Sequence, residues 1–304
     1  MSRTRNPIRF GITVGTRSYA DSLRLCQAAE AAGFTTASFT DRASEPALEG
    51  WTVATAIAAT TKKLIVTHAT LNVPYRNVAL LAKAAATLDE IAGHGRLELT
   101  LGAGNQQPYY ETYGYPKQDA AQLFVGLRDA VTIMRGLWAN DTFTHEGKVH
   151  SVVDATIGKR PPGGRIPIWI GALGPQMMRY TGRVADGWMK NRGWPESIDQ
   201  LRGLVRLLEE GAISAKRDPQ SIRRVLNTMA VLGEEETKRV LAQQQPEGPA
   251  YITRPQVTGS AQQVLDTIGQ YRDEGIDTFH FRFAEDMLLS QVRRFGEEVI
   301  PKVQ

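Results

Sequence analysis

Cysteine is almost missing from this chain: Cys26 is the only one in 304 residues, and it sits in an alanine-rich helical pattern. One cysteine excludes an internal disulfide and a cysteine-built metal site. No apolar run approaches the roughly 18 residues of a membrane-spanning helix. The opening stretch MSRTRNPIRF lacks the apolar core of a signal peptide, so a cytoplasmic protein without membrane contact is expected. Charge of one sign is also scarce. The formal net charge is +4 and no lysine or arginine block occurs, so nucleic acid is not an expected partner. GxSxG, Walker and HExxH patterns are absent, which leaves the common hydrolase and kinase arrangements without support. His68, His94, His145, His150 and His280 make no metal-ligand spacing, and no metal is expected.

What is present is a rhythm. Apolar strand-like runs at 8–14, 35–40, 64–70, 97–101, 166–170, 187–189, 224–232 and 278–283 alternate with helical spacing. The helical segments are 21–32, 51–60, 78–91, 118–138, 177–184, 197–215, 261–273 and 288–299, with Ser260 placed to cap the seventh. A hairpin at 141–153 and a proline-bearing excursion at 246–257 interrupt the rhythm and are expected to shape the pocket. Eight strand–helix units predict an α/β fold, a (β/α)8 TIM barrel with insertions, in one domain over 1–304. A doubly wound open sheet is the alternative, but Gly102-Ala103-Gly104 lacks the third glycine of a dinucleotide fingerprint.

A barrel places chemistry at the C-terminal ends of its strands. Asp41 and Arg42 follow the second strand, either as a ligand contact or as a surface ion pair. The fourth strand runs into Gly102-Ala103-Gly104-Asn105-Gln106-Gln107, where small residues let a flat ring approach the backbone. Tyr109 and Tyr110 follow, to stack on a ligand or to cover the rim. In the eighth strand Phe279, Phe281 and Phe283 alternate with Thr278, His280 and Arg282. Period two turns the phenylalanines toward helices and His280 and Arg282 into the barrel. There His280 reads as a hydrogen-bonded core histidine, and Arg282 as a structural ion pair or an anion contact. After the fifth strand, Gly171 to Pro175 reads as a turn into a helix. Gly174 can bring backbone N–H groups near an anion there, and Pro175 suits the first helical turn.

Several stretches together resemble the luciferase-like flavin and deazaflavin oxidoreductases. These are GFTTASFTDR (33–42), VPYRNVALLAKAAATLDEIAGHGRLELTLGAG (73–104), YGYP (113–116), PIWIGALGPQMMRYTGRVADGW (167–188) and EEVIPKV (297–303). The resemblance is greatest to the branch that uses coenzyme F420. It implies a TIM-barrel enzyme with F420, or alternatively FMN, in the barrel mouth, a small organic substrate and a homodimer. It implies cofactor contacts at Asp41, Ala69, Thr70, Asn72, Asn105, Gln106 and Tyr110, with a non-proline cis peptide at Ala69–Thr70. The phosphate loop would be Leu173, Gly174, Pro175 and Gln176. Where the family's sugar-phosphate dehydrogenases carry a histidine and a glutamate for proton transfer, this chain has Arg42 and Gln107. Neither titrates near neutral pH, so glucose-6-phosphate oxidation by that pair is not expected. The expected activity is hydride transfer between the deazaflavin C5 and an organic substrate. Asp41, Arg42, Gln107, Tyr110 and Arg282 are the catalytic candidates. An FMN monooxygenase and a catalytically silent flavin-binding barrel are the alternatives.

Overall fold

The computed structural model describes residues 6–15, 18–41, 48–104, 113–190, 194–243 and 255–303. In chain order the elements begin β1 (Arg9–Val14), α1 (Tyr19–Ala31), β2 (Thr36–Phe39), α2 (Gly50–Thr60), β3 (Ile65–His68) and β4 (Leu71–Asn72). Then come α3 (Val78–Ile91), β5 (Leu99–Gly102), α4 (Ala120–Ala139), β6 (Phe143–Glu146), β7 (Ser151–Ala155) and β8 (Ile168–Ala172). The chain continues with α5 (Pro175–Val184), β9 (Gly187–Lys190), α6 (Ile198–Ser214), β10 (Arg223–Leu232) and α7 (Glu234–Ala242). It closes with β11 (Val257–Gly259), α8 (Ala261–Asp273), β12 (Thr278–Arg282) and α9 (Leu288–Glu298).

The strand–helix alternation is the expected one, with α7 and β11 as additions to it and two further informative differences. The third strand is in two pieces, β3 and β4, on either side of the cis peptide Ala69–Thr70. The fifth strand extends to Ala172: Gly171 and Ala172 are buried and belong to the strand, so the turn into α5 is only Leu173 and Gly174. Helix starts follow their side chains. Ser260 and Gln263 form a reciprocal capping box on α8, as do Asp119 and Gln122 on α4. Asn77 caps α3 at Leu80 N (3.0 Å).

The chain divides into two compact units. The first comprises Met1–Val14, Ala20–Ser38 and Ala172–Gln304. Its strands are parallel: β1 pairs with β12, β12 with β10, and β10 with β9, while β11 adds to the far end of β10. Register sets Gly11 and Asn227 on either side of His280. Gly11 has no alternative: a Cβ there would stand 2.4 Å from the His280 ring. The opposite face of β12 is aromatic, as expected. Phe281 and Phe283 each lie 5.1 Å from Phe295 of α9. Burial of each such ring contributes about 1.5–3 kcal/mol.

The second unit comprises Gly15–Tyr19 and Phe39–Gly171. Here β4 runs parallel to β5 and β5 to β8, and Val66 of β3 bridges Leu97. Trp138 of α4 is fully buried and donates its indole N–H to Ala82 O of α3 (2.9 Å). The β6–β7 hairpin is present, but it does not line a strand end. It follows α4 and lies along it, with Phe143 against Gly136 and Val149 against Gly126. Asp129 of α4 accepts the Val149 and His150 N–H groups (2.8 and 3.1 Å) and pins the turn to the helix. The hairpin therefore packs on a helix.

Candidate active site

The second unit gathers a set of charged groups where β2 and β4 end. Asp41 is 6% exposed, and its carboxylate accepts three hydrogen bonds. Arg76 forms a bidentate pair with it, Nη1 to Oδ2 at 2.8 Å and Nη2 to Oδ1 at 2.7 Å. Asn72 N–H donates to the same Oδ2 at 2.7 Å. The Asn72 side chain donates back through Nδ2 to Asp41 O at 2.6 Å. Because a carbonyl only accepts, this bond fixes the amide orientation and leaves Asn72 Oδ1 as the remaining acceptor. Arg76 Nη2 also reaches Glu49 Oε1 at 3.0 Å. Glu49 in turn accepts Trp51 N and Thr52 N at the start of α2.

Electrostatics follow the geometry. Burial pulls the Arg76 pKa down, but hydrogen bonds and charge from Asp41 and Glu49 outweigh it and leave it raised. Burial works to raise the Glu49 carboxyl, yet the Thr52 and Trp51 bonds and the Arg76 charge hold it below its ordinary range. His68, the last residue of β3, stacks on Trp51 (5.4 Å between centroids, 9° between planes). It is fully buried and neither ring nitrogen has a partner among the described residues. Burial drives its pKa to about 4, with Asp41 opposing. Next to it, Thr70 packs so closely on Gly102 that a Cβ there would stand 2.4 Å from Thr70 Oγ1. Ala69, Thr70, Asn72 and Asp41 are thus brought together, as the resemblance implies. Arg76 and Glu49 were missed by sequence reasoning; the only signal was a charged residue inside VPYRN, just before the α3 cap.

The start of α5 has the opposite character. Gly174 is its N-cap, no side chain caps it, and Pro175 occupies the first position. The amides of Gln176 and Met177 have no acceptor within the helix. Leu173 is half-buried; Gly174, Pro175 and Gln176 are exposed. An added Cβ on Gly174 would meet nothing within 4 Å. Open backbone donors at the positive end of a helix fit a phosphate group.

In the first unit, Arg282 closes β12 and is half-buried. His280 is fully buried, but the expected hydrogen bond is not there: neither ring nitrogen has a partner among the described residues. Burial, helped by the Arg9 charge, lowers its pKa to about 3, so the ring is neutral. Beside it, Thr13 Oγ1 and Asn227 Oδ1 are 3.2 Å apart. Sequence reasoning also missed Lys190, the last residue of β9. It is buried, and desolvation lowers its pKa to about 8 against the pull of Glu196. Arg42, Asn105, Gln106, Gln107, Tyr109 and Tyr110 lie outside the described residues. Among the described residues no group of three or more His, Cys, Asp or Glu side chains could hold a metal ion. Nor is any helix there long and apolar enough to cross a membrane.

Residues 5–252 match the luciferase-like monooxygenase family, a span that takes in Asp41, Asn72, Arg76 and the α5 turn. The chain belongs to the luciferase-like monooxygenase family. Its relatives include the F420-dependent glucose-6-phosphate dehydrogenase of Mycolicibacterium smegmatis, 30% identical over 232 residues. That alignment covers 72% of this chain and 67% of the relative. The chain spans about half the length of other curated relatives it matches. Among solved structures it is similar to the coenzyme F420-dependent tetrahydromethanopterin reductase of Methanopyrus kandleri. The TM-score is 0.83 at 20% identity, over 98% of this chain and 100% of that one. It is also similar to the type II Baeyer-Villiger monooxygenase from Pseudomonas putida in complex with FMN. There the TM-score is 0.77 at 18% identity, over 98% and 99% of the two chains. The fold is the (β/α)8 barrel of this luciferase-like family, so the doubly wound alternative falls away.

Proposed function

We propose that this luciferase-like protein is an F420-dependent oxidoreductase acting on a small unsaturated organic substrate. The observation that carries the reading is the uncapped, exposed start of α5 directly after β8, inside the span that matches the family. The similarity to F420-dependent glucose-6-phosphate dehydrogenase selects the cofactor. Bound F420 supplies hydride chemistry at its C5 carbon; the protein's task is alignment and electrostatics. Gly174 and the Gln176 and Met177 amides hold the cofactor phosphate. Asn72, whose Oδ1 has no donor among the described residues, would meet the ring, beside the close Thr70–Gly102 contact. Arg282 and Arg42 orient the substrate or meet negative charge that develops on it. Gln107 orients as well, and Tyr110 or water is the proton donor where one is required.

Arg42 and Gln107 in place of a titrating pair favour a reduction driven by the cofactor over oxidation of glucose 6-phosphate. A second reading, an FMN monooxygenase, is favoured by the similarity to the FMN-bound enzyme of Pseudomonas putida. Titration of the purified protein with F420 and with FMN separates them. We expect saturable F420 binding and no measurable FMN binding. FMN binding without F420 binding sinks the proposal.

A further inference from the structure

Asp41 is the residue the resemblance assigns to the cofactor ring, yet three of the four hydrogen-bonding directions of its carboxylate are taken within the protein. Arg76 takes one hydrogen-bonding direction of each oxygen in a planar fork, and the Asn72 N–H takes a second on Oδ2. The Asp41 carbonyl is taken as well, by Asn72 Nδ2. What this arrangement fixes is Asn72. Its N–H and its side-chain amide are both tied to Asp41, so its Oδ1 is held in one direction. Arg76 completes the set from the segment just before α3, and Glu49 anchors its outer edge from the start of α2. A guanidinium fork matches a carboxylate in two places at once, which a lysine ammonium cannot do.

We propose that Arg76 is a positioning residue: it locks Asp41 as a brace, and the brace aims Asn72 Oδ1 at an N–H donor of the bound ring. Asp41 then acts through Asn72. This inference rests on the reading of the site as a deazaflavin or flavin site, and it divides the labour within it. Asn72 Oδ1 has no donor among the described residues, and it accepts. A heterocycle presenting a ring N–H suits it; an anion does not.

Two readouts test the brace. The first needs no cofactor: hydrogen exchange of the Asn72 amide, whose N–H is buried in the clamp. Arg76→Ala should speed that exchange at least tenfold while helix amides in α3 stay protected. The second is cofactor affinity by fluorescence titration. Arg76→Ala should weaken F420 binding about 30-fold, with methylguanidinium restoring part of the loss and Arg76→Lys falling between. The double variant Asp41→Ala with Arg76→Ala should bind within threefold of Asp41→Ala alone, since both remove one brace. Unchanged Asn72 exchange in Arg76→Ala overturns the proposal. So do losses from Asp41→Ala and Arg76→Ala that multiply, because Asp41 would then contact the cofactor independently. If Arg76→Ala does not fold, Arg76→Lys gives the same readings at smaller amplitude. A wild-type protein that binds neither F420 nor FMN overturns the functional proposal, while the exchange result still decides the brace.

Discussion

At the Asp41 corner the carboxylate, the main-chain carbonyl, the Arg76 guanidinium and the Asn72 N–H groups bond to one another. At the first turn of α5, no side chain caps the backbone donors among the described residues. Both regions follow a strand end, and both lie in the stretch that matches the luciferase-like family. On the proposed function, the difference is one of how the two regions use their polar groups. One corner consumes its charge internally to hold geometry, and the turn leaves its charge-seeking groups open to receive an anion.

The largest expected effect comes from breaking the closed corner. Asp41→Ala strands the Arg76 guanidinium beside Glu49 alone and frees the Asn72 N–H. It should cost about 3 kcal/mol of stability, typical of removing one partner of a buried pair. Denaturant unfolding measures it, and a loss under 1 kcal/mol would mean the corner is not a structural brace. An intermediate effect concerns pH. His68 is held neutral by burial, with its pKa lowered from 6.5 to about 4. The unfolded chain binds that proton first, so stability is full above pH 6.5 and is lost as pH falls toward 4. His280, lowered to about 3, adds to the same slope. His68→Leu should flatten the acid limb between pH 6.5 and 4; an unchanged slope would show that His68 is not buried neutral.

These contrasts were only partly legible in the sequence. The strand–helix alternation came from apolar runs and capping residues, which are local, and the expected span of α3 (78–91) agrees with the structure at both ends. Asp41, Asn72 and the glycine turn stood out because a barrel puts function at strand ends. Arg76 and Glu49 did not, since a pair 35 residues apart in sequence is visible only once the ends of β2 and β4 lie together. The fifth strand was placed short because Gly171 looks like punctuation; burial made it a strand residue. His280 was expected to find a hydrogen bond, but neither ring nitrogen has a partner among the described residues; Gly11 backs directly onto the ring, and the neighbouring Thr13 and Asn227 bond to each other.

The smallest change in stability should accompany the most telling change in binding. Gly174→Asp places a carboxylate at the N-cap of α5, in space that is empty around the glycine. Capping and the helix dipole should raise stability by about 0.3–1 kcal/mol. The same carboxylate should weaken F420 binding at least tenfold, because it takes the donors and repels the phosphate. Thermal unfolding and F420 titration on this one variant therefore test the open turn directly. The account predicts a higher Tm with a weaker Kd, and a higher Tm with an unchanged Kd would contradict it.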